Sequence, residues 1–340
     1  MKVIVAIDSF KGCLSSAEAG TAAVEGIKDQ WPEAEVIYLP FSDGGEGWLD
    51  AWAVPLSATE GTNSTIVHDP LLRPVRAKYL KAGELAVIEV AEACGLHLLK
   101  PEERNPLLAS SRGVGELIVD AMQKGCKQFI VGLGGSGVSD AGKGMMEANP
   151  PQSSFIIATD VTNPLYGPNG AAAVFGPQKG ATPEMVAELD RRAKAYADEN
   201  ARAMGFDRSG EAGAGAAGGL GYAFMQFLGA ERQSGAELLL EAVHFDDLIR
   251  DADYIITGEG SADRQTLMGK LPSVILRHAQ SLQVPCHLLA GSIADEDALL
   301  SAGFASVHCI NPPNTPLSEA MKPEIARQNI KIKVKSLPFA

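Results

Sequence analysis

Short apolar runs and amphipathic segments alternate at the start of the chain. Residues 3–7 are uninterrupted apolar, which predicts a strand that is buried on both faces. Ser15 and Glu18 have the spacing of a capping box, so a helix is expected to begin there. A second strand is predicted at 35–40, and this order favours a parallel pair with a right-handed crossover. The apolar face of the helix is formed by Ala19, Ala22, Ala23 and Ile27.

The pattern changes in the middle of the chain and then returns. Residues 64–68, 77–81 and 85–90 have the length and partial alternation of short strands, which is typical of a more antiparallel unit. Beyond them the periodicity again predicts helices and strands in alternation. The helices are expected at about 113–124, 182–204, 271–281 and 296–302, and the strands at 129–133, 253–257, 286–290 and 306–310.

The predicted fold class is α/β, with a doubly wound, Rossmann-like parallel sheet domain and a second, smaller inserted α/β domain. The length of 340 residues favours about two domains. We expect the first domain to be discontinuous and to comprise residues 1–60, 105–150 and 245–340. The inserted domain would comprise residues 61–104 and 151–244. Binding sites in such folds lie beyond the carboxyl ends of the strands.

Composition excludes several classes of function. The formal net charge is −13 and no cluster of Lys or Arg occurs, so we expect no nucleic-acid partner. No apolar run approaches the length needed to span a bilayer, and residues 3–7 are too few for a secretory signal. The five Cys are scattered without a C-x-x-C pair, which is typical of reduced thiols in a cytoplasmic protein. The six His are dispersed as well, so a His-ligated metal site is not expected.

The stretch 129-FIVGLGGSG-137 has the glycine spacing of a dinucleotide-binding turn. Gly132, Gly134 and Gly137 follow an apolar strand, and Asp160 closes the next apolar run, as in proteins that bind NAD. A Rossmann turn should lead into a long helix, whereas here 149-NPP-151 limits any helix to a short one. A serine-containing glycine loop before a short helix can equally hold phosphate.

Two other loops that follow predicted strands carry candidate chemistry. The turn 8-DSFKG-12 precedes a helix N-terminus, which favours an anion, and Lys11 would add positive charge. The loop 42-SDGGEG-47 has adjacent glycines that allow close backbone approach to a ligand. Its acids, Asp43 and Glu46, suit a hydrated Mg²⁺ or a substrate hydroxyl.

A fourth loop, 257-TGEGSADRQTLMGK-270, follows a strong strand but lacks the spacing of a Walker A motif. Phosphoryl transfer needs positioning, Mg²⁺ and charge neutralisation more than covalent chemistry. This loop offers acids, hydrogen-bonding side chains and a lysine for those purposes. They are Glu259, Asp263, Gln265, Thr266 and Lys270.

Taken in order, the motifs resemble those of the type I glycerate kinase family across nearly the whole chain. The resemblance implies a kinase that phosphorylates D-glycerate with ATP and Mg²⁺. It also implies two α/β domains with the site in the cleft between them. The matching motifs are DSFKG (8–12), DGGEG (43–47), SRGVGELI (111–118), GLGGS (132–136), DVTNPL (160–165), GPNGAAAVFGPQKGA (167–181), GAGAAGGLG (213–221) and TGEGSADRQTLMGK (257–270).

The resemblance also suggests roles for individual residues. Asp43 or Asp263 would orient or deprotonate the attacking hydroxyl, while Lys11 and Lys270 would neutralise phosphate or carboxylate charge. Asp160 would lie near the metal. Substrate or nucleotide would contact Ser9, Glu46, Arg112, Gly134, Gly135, Ser136, Asp140, Asn163, Glu259, Gln265 and Thr266.

The chain departs from the family pattern at Ser139, where the family usually has Asn, and at Trp48, where Thr is common, but the most important departure is a shortened connection. Only residues 148–155 or so connect the helix after GLGGS to DVTNPL, where family members usually carry several tens of residues. This shortening creates the Rossmann-like spacing of Asp160, so we interpret that spacing as coincidental. Two alternatives remain: an NAD-dependent dehydrogenase, and a non-catalytic relative that binds a small metabolite. The oligomeric state is open, with a homodimer among the options.

Overall fold

The structure is a computed structural model that describes residues 1–10, 12–56 and 61–339. The chain folds into two compact units. The first unit combines the two ends of the chain, Met1–Ser42 and Ala236–Ala340, and the second is the continuous segment Asp43–Gly235. Both units are of the mixed α/β kind that the sequence predicts.

The strands of the described residues lie close to the predicted positions. Their bounds are β1 (Lys2–Ile7), β2 (Glu35–Tyr38), β3 (Gly61–His68), β4 (Pro74–Ala82), β5 (Leu85–Glu89), β6 (Gln128–Gly132), β7 (Ser154–Ala158), β8 (Glu231–Gln233), β9 (Tyr254–Ala262), β10 (Cys286–Ile293) and β11 (Ser306–Cys309).

Helices connect these strands, and within the described residues none is long and apolar enough to cross a membrane. Their bounds are α1 (Ser16–Gln30), α2 (Trp48–Ala53), α3 (Ala91–Cys94), α4 (Arg112–Gln123), α5 (Lys143–Glu147), α6 (Ala171–Phe175), α7 (Pro183–Met204), α8 (Leu220–Leu228), α9 (Gly235–Ala242), α10 (Phe245–Ile249), α11 (Leu271–Ser281), α12 (Glu296–Ala302), α13 (Leu317–Ala320) and α14 (Pro323–Val334).

The first unit is built on a parallel sheet of order β11-β10-β9-β1-β2. The predicted capping box of α1 is present, because Ser15 Oγ accepts a hydrogen bond from the Glu18 amide and the Glu18 carboxylate accepts one from the Ser15 amide. Gly26 allows α1 to approach α14 closely, since a Cβ there would lie 2.4 Å from a methyl carbon of Val334. The four predicted apolar positions of α1 are fully buried: Ala19, Ala22, Ala23 and Ile27.

The second unit contains a mixed sheet of order β3-β4-β5-β6-β7-β8. β3, β4 and β5 are antiparallel, as the alternating pattern predicts, whereas β5 to β8 are parallel. Phe129, Phe155 and Phe224 form its aromatic core, with ring centroids 4.8 Å and 5.7 Å apart along the series. The carboxyl ends of β5, β6 and β7 therefore lie side by side at one edge of the sheet.

The division of the chain differs from the predicted domain bounds. Residues 43–60 and 105–150, which the sequence analysis assigned to the first domain, belong to the second unit. β6 pairs with β5 and β7, whereas the neighbours of β1 are β2 and β9. The inserted unit is consequently the larger of the two.

The stacked phenylalanines provide a test of the second core. Replacing Phe155 by Ala should lower the free energy of unfolding by about 3–5 kcal/mol, because a buried ring is removed and the cavity cannot collapse fully. Chemical denaturation of the purified protein would measure this change. Phe206→Ala is a matched control, because its ring is 44% exposed, and should cost less than about 1 kcal/mol. Equal losses for both variants would contradict this packing.

Candidate functional site

The loop that follows β6 lies at the carboxyl edge of the second sheet, and we call residues 132–138 the glycine loop. Three of its amides bind neighbouring backbone, since Leu133 donates to the Ala158 carbonyl (3.2 Å), Gly134 to Gly44 (2.8 Å) and Gly137 to Cys94 (2.7 Å). A Cβ on Gly134 would lie 2.2 Å from the Cα of Gly45. Glycine is therefore required at this position by a backbone contact within the protein.

The same hydrogen bonds define which amides remain for a ligand. In the described part of the chain, the N–H groups of Gly135 and Ser136 donate to no protein acceptor. Gly135 has a positive φ of 71° and is exposed, whereas Ser136 is buried. Two successive unpaired amides at a turn of this kind form an anion-binding nest. The structure thus brings together the predicted residues Gly134, Gly135 and Ser136 with the loop that carries Asp43 and Glu46.

A cavity of about 390 Å³ lies beside the glycine loop in the second unit. Gly135 and Leu49 contribute to its wall, and most of the other lining residues are charged. Lys78 Nζ lies 3.8 Å from a Glu92 carboxylate oxygen, and Lys78 is the one lysine or arginine among the described residues of the lining. The remaining titratable residues of the wall are Glu46, Asp50, Glu89, Glu92 and His97.

Glu89 is the most buried carboxylate of this cavity, with 9% of its surface exposed. It ends β5, and its side chain accepts a long hydrogen bond (3.4 Å) from the Leu49 amide in the first turn of α2. Burial raises the pKa of Glu89 to about 7, and nearby Glu92 adds to the effect while the Leu49 amide opposes it. A carboxyl group that titrates near neutral pH inside a cavity is typical of functional sites.

Asp140 and Arg112, both predicted ligand contacts, are held by neighbouring protein groups. The Asp140 carboxylate accepts hydrogen bonds from the Ser111 amide and hydroxyl and from the amides of Gly142 and Gly144. Those bonds join the starts of α4 and α5. The Arg112 guanidinium donates to Glu116 at 2.9 Å but keeps 43% of its side chain exposed, so it can still reach a ligand.

Asp160 and Asn163 follow β7 at the same edge of the second sheet. Asp160 is exposed, and the Asn163 side chain donates to the Asn169 carbonyl at 2.8 Å. Among residues 1–10, 12–56 and 61–339, no group of three or more His, Cys, Asp or Glu is arranged to hold a metal ion.

In the first unit, the loop after β9 is organised around Glu259, which is 6% exposed. Its carboxylate accepts hydrogen bonds from the Thr266 hydroxyl (2.6 Å) and from Lys270 Nζ (2.9 Å). Asp263 accepts a hydrogen bond from the Gln265 amide (2.7 Å), and this bond shapes the turn. Gln265 is exposed, whereas Thr266 is fully buried, so its hydroxyl supports the loop from inside.

The turn after β1 is the other predicted site in the first unit. The Ser9 amide donates to the Asp8 carboxylate at 2.7 Å, and the Asp8 amide donates to the Gly258 carbonyl in the middle of β9. The turn therefore lies beside β9, which continues to Ala262, so the first six residues of the predicted 257–270 loop are strand. Lys11, the predicted cation of this turn, lies outside the described residues.

The sequence analysis did not single out two buried ionisable residues of the candidate site. Glu89 closes an apolar strand, and Lys179 lies within the GPQKG part of a family motif. Lys179 is 2% exposed, and its ammonium contacts the glycine loop. A single charged residue at the end of the strand 85-LAVIE-89 was the available signal for the first, whereas nothing local indicates that Lys179 is buried.

Glu89 provides a pH test of the cavity. Because its folded pKa is raised, the folded state binds the proton more tightly, and its contribution to stability is lost as pH rises from about 4.5 to 7. Glu89→Gln removes this dependence and should be more stable than the wild type above neutral pH, by up to about 3 kcal/mol. Thermal unfolding of both proteins between about pH 4.5 and pH 8 tests this. A stability difference that does not grow with pH would contradict an ionised, buried Glu89.

Comparison with known proteins places this geometry in context. The family model described as "Glycerate kinase family" matches residues 3–150 and 147–337. Glycerate kinase of Bacillus subtilis is 39% identical over 362 aligned positions, which cover 95% of this chain and 93% of that protein. Glycerate 2-kinase of Escherichia coli is 38% identical, with 87% and 86% covered. A crystal structure from Salmonella typhimurium LT2, described provisionally as glycerate kinase 2, superposes with a TM-score of 0.80 at 36% identity, covering 98% of this chain and 96% of that one.

The comparisons also bear on the alternatives. The two family matches meet at 147–150, where the connection to β7 is short, and the 362 aligned positions exceed the 340 residues of this chain. The glycine loop leads into α5 of Lys143–Glu147, too short and too late in the chain for a Rossmann helix. Neither a dehydrogenase nor a non-catalytic binder is supported by these findings. The chain belongs to the glycerate kinase family.

Proposed function

We propose that this protein transfers the γ-phosphoryl group of ATP to a hydroxyl of D-glycerate, giving 2- or 3-phosphoglycerate and ADP. The observation that carries the proposal is the family match along nearly the whole chain, joined to a glycine loop with two unpaired amides. We also place the reaction in the cytoplasm, the compartment that the scattered cysteines of the sequence favour.

The phosphates of ATP would bind at the glycine loop. Gly135 and Ser136 would donate their amides, and Gly134 would hold the loop in place. Asp160 and Asn163 would lie close to Mg²⁺, which neutralises charge on the transferred phosphoryl group. Glu46 lines the neighbouring cavity and would contact the nucleotide or the acceptor.

Glycerate is an anion, so its carboxylate requires cationic or hydrogen-bonding partners. Arg112 is half-exposed and would serve as a bidentate partner. Lys11 and Lys270 would neutralise carboxylate or phosphate charge, with Glu259 and Thr266 holding Lys270 in position. Ser9 and Gln265 complete the proposed contacts in the first unit.

The chemical step requires a group that accepts the hydroxyl proton. As the glycerate oxygen forms its bond to the γ-phosphorus, the bond from phosphorus to the bridging oxygen breaks and ADP leaves. The proton of the hydroxyl passes to a carboxylate, for which Asp43 or Asp263 is proposed. Asp140 would act indirectly, by holding the starts of α4 and α5 together.

The direct test is ADP release with ATP, Mg²⁺ and D-glycerate, followed by phosphorus NMR of the product. We expect ADP release that depends on glycerate, and the NMR spectrum identifies the hydroxyl that is phosphorylated. A folded protein that ATP stabilises but that releases no ADP with glycerate would overturn the acceptor assignment.

The proposed bases provide a second test. Asp43→Asn or Asp263→Asn should reduce kcat by about 100-fold or more, because the amide cannot accept the hydroxyl proton. Steady-state kinetics of both variants would identify which of the two acts. Asp207→Asn is the matched control, because among the described residues this exposed carboxylate of the second unit accepts hydrogen bonds from Ser209 alone, and the variant should retain near-normal turnover. Normal kcat in both Asp43→Asn and Asp263→Asn would rule out this assignment.

A further inference from the structure

The side chain of Lys179 lies against the inner side of the glycine loop. Its ammonium donates a hydrogen bond of 2.7 Å to the Val138 carbonyl and one of 3.1 Å to the Ser136 hydroxyl. Only 2% of the residue is exposed, so water does not solvate the charge. Both acceptors belong to the glycine loop, in which the amides of Gly135 and Ser136 have no acceptor among the described residues. The ammonium is therefore hydrogen-bonded directly to the candidate phosphate site.

This buried ammonium lacks a counter-ion. In the described part of the chain, its hydrogen-bond acceptors are the Val138 carbonyl and the Ser136 hydroxyl, and neither is charged. The Asp140 carboxylate raises the pKa of Lys179, but it accepts its hydrogen bonds from Ser111, Gly142 and Gly144. Cys94 also faces it, and burial raises the pKa of that thiol, which keeps it neutral. A buried charge without an ionic partner is destabilising by several kcal/mol.

The loop itself offers the place for a missing anion. Lys179 donates to the Ser136 oxygen, so the hydroxyl proton of Ser136 remains available to a further acceptor. The amides of Gly135 and Ser136 are unpaired in the described chain, which gives three donors on consecutive residues. Gly135 is exposed and lines the cavity of the second unit, so a ligand can reach this position.

We propose that Lys179 is the buried counter-charge for a phosphate group bound at Gly135 and Ser136, and that the bound phosphate supplies the negative charge this ammonium lacks in the free protein. The inference deepens the proposed function, on which it rests for the identity of the ligand. Lys179 acts on phosphate through its field and through the Ser136 hydroxyl, as a positioning residue.

The arrangement has a consequence for pH dependence. Burial lowers the pKa of Lys179 to about 8 in the free protein, although Cys94 and Asp140 oppose the effect. A bound phosphate favours the charged form and raises that pKa, so binding above about pH 8 must be accompanied by proton uptake. Phosphate esters have completed their own ionisation by about pH 7, so they do not contribute to this uptake.

The test measures binding by calorimetry, without turnover. For the wild type, ADP affinity should fall by about 30-fold between about pH 7 and pH 9.5. Near about pH 9, ADP binding should be accompanied by uptake of most of one proton by the protein, determined from two buffers of different ionisation enthalpy. Lys179→Met should bind ADP at least about 10-fold more weakly near pH 7 and lose the pH dependence. Its thermal stability should be retained, because an apolar side chain of similar length replaces an unpaired buried charge.

The matched control is Lys127→Met in the same unit. Lys127 is 70% exposed and pairs with Glu84, so its replacement should leave ADP affinity and proton uptake unchanged. Phosphoglycerate in place of ADP distinguishes the two sources of phosphate, because proton uptake with only one of them assigns the loop to that ligand. Proton uptake with neither ligand in the wild type would overturn the inference, even if Lys179→Met fails to fold. If ADP binding is accompanied by proton uptake but the protein does not phosphorylate glycerate, the role of Lys179 is supported and only the proposed acceptor is rejected.

Discussion

The close approach of two backbone loops is the constraint on which the candidate site depends. Gly134 donates to the Gly44 carbonyl, and its Cα leaves no space for a side chain against Gly45. That contact and its neighbours occupy the amides of Leu133, Gly134 and Gly137, whereas Gly135 and Ser136 have no protein acceptor for their amides in the described part of the chain. The glycines of 132–137 are thus explained first by packing at the carboxyl edge of the sheet. The backbone amides that this packing leaves without an acceptor are then available to bind an anion.

Two buried titratable groups, Glu89 and Lys179, lie on elements that contact this loop. Neither has an ion-pair partner among the described residues, and both have pKa values displaced toward their neutral forms. Each therefore lowers the stability of the ligand-free protein, and an aromatic and aliphatic core around Phe155 offsets the cost. The stability that these two groups cost would be recovered when a ligand with charges and hydroxyls binds beside them. Such a cost is a recurrent property of functional sites.

The local sequence pattern predicted most of the helices and strands of this fold but not how they assemble. The helix that begins at Ser15 and the strands that carry the glycine motifs lie within a few residues of their predicted bounds, because capping and hydrophobic period are local properties. The partner of β6 depends on register between strands distant in sequence, and the predicted domain bounds failed there. Burial of Lys179 likewise depends on how residues far apart in the chain pack around one turn, so only its motif could be recognised.

The short connection between α5 and β7 has a consequence of another kind. β6 and β7 remain paired over five residues on each strand, although the family match divides at 147–150. The sheet therefore forms across a connection of residues 148–153 alone. A short connection between two strands that hold their register is a natural entry point for protein engineering. A fluorescent reporter or an affinity tag placed between Asn149 and Ser153 would extend the chain at the point where the family match divides.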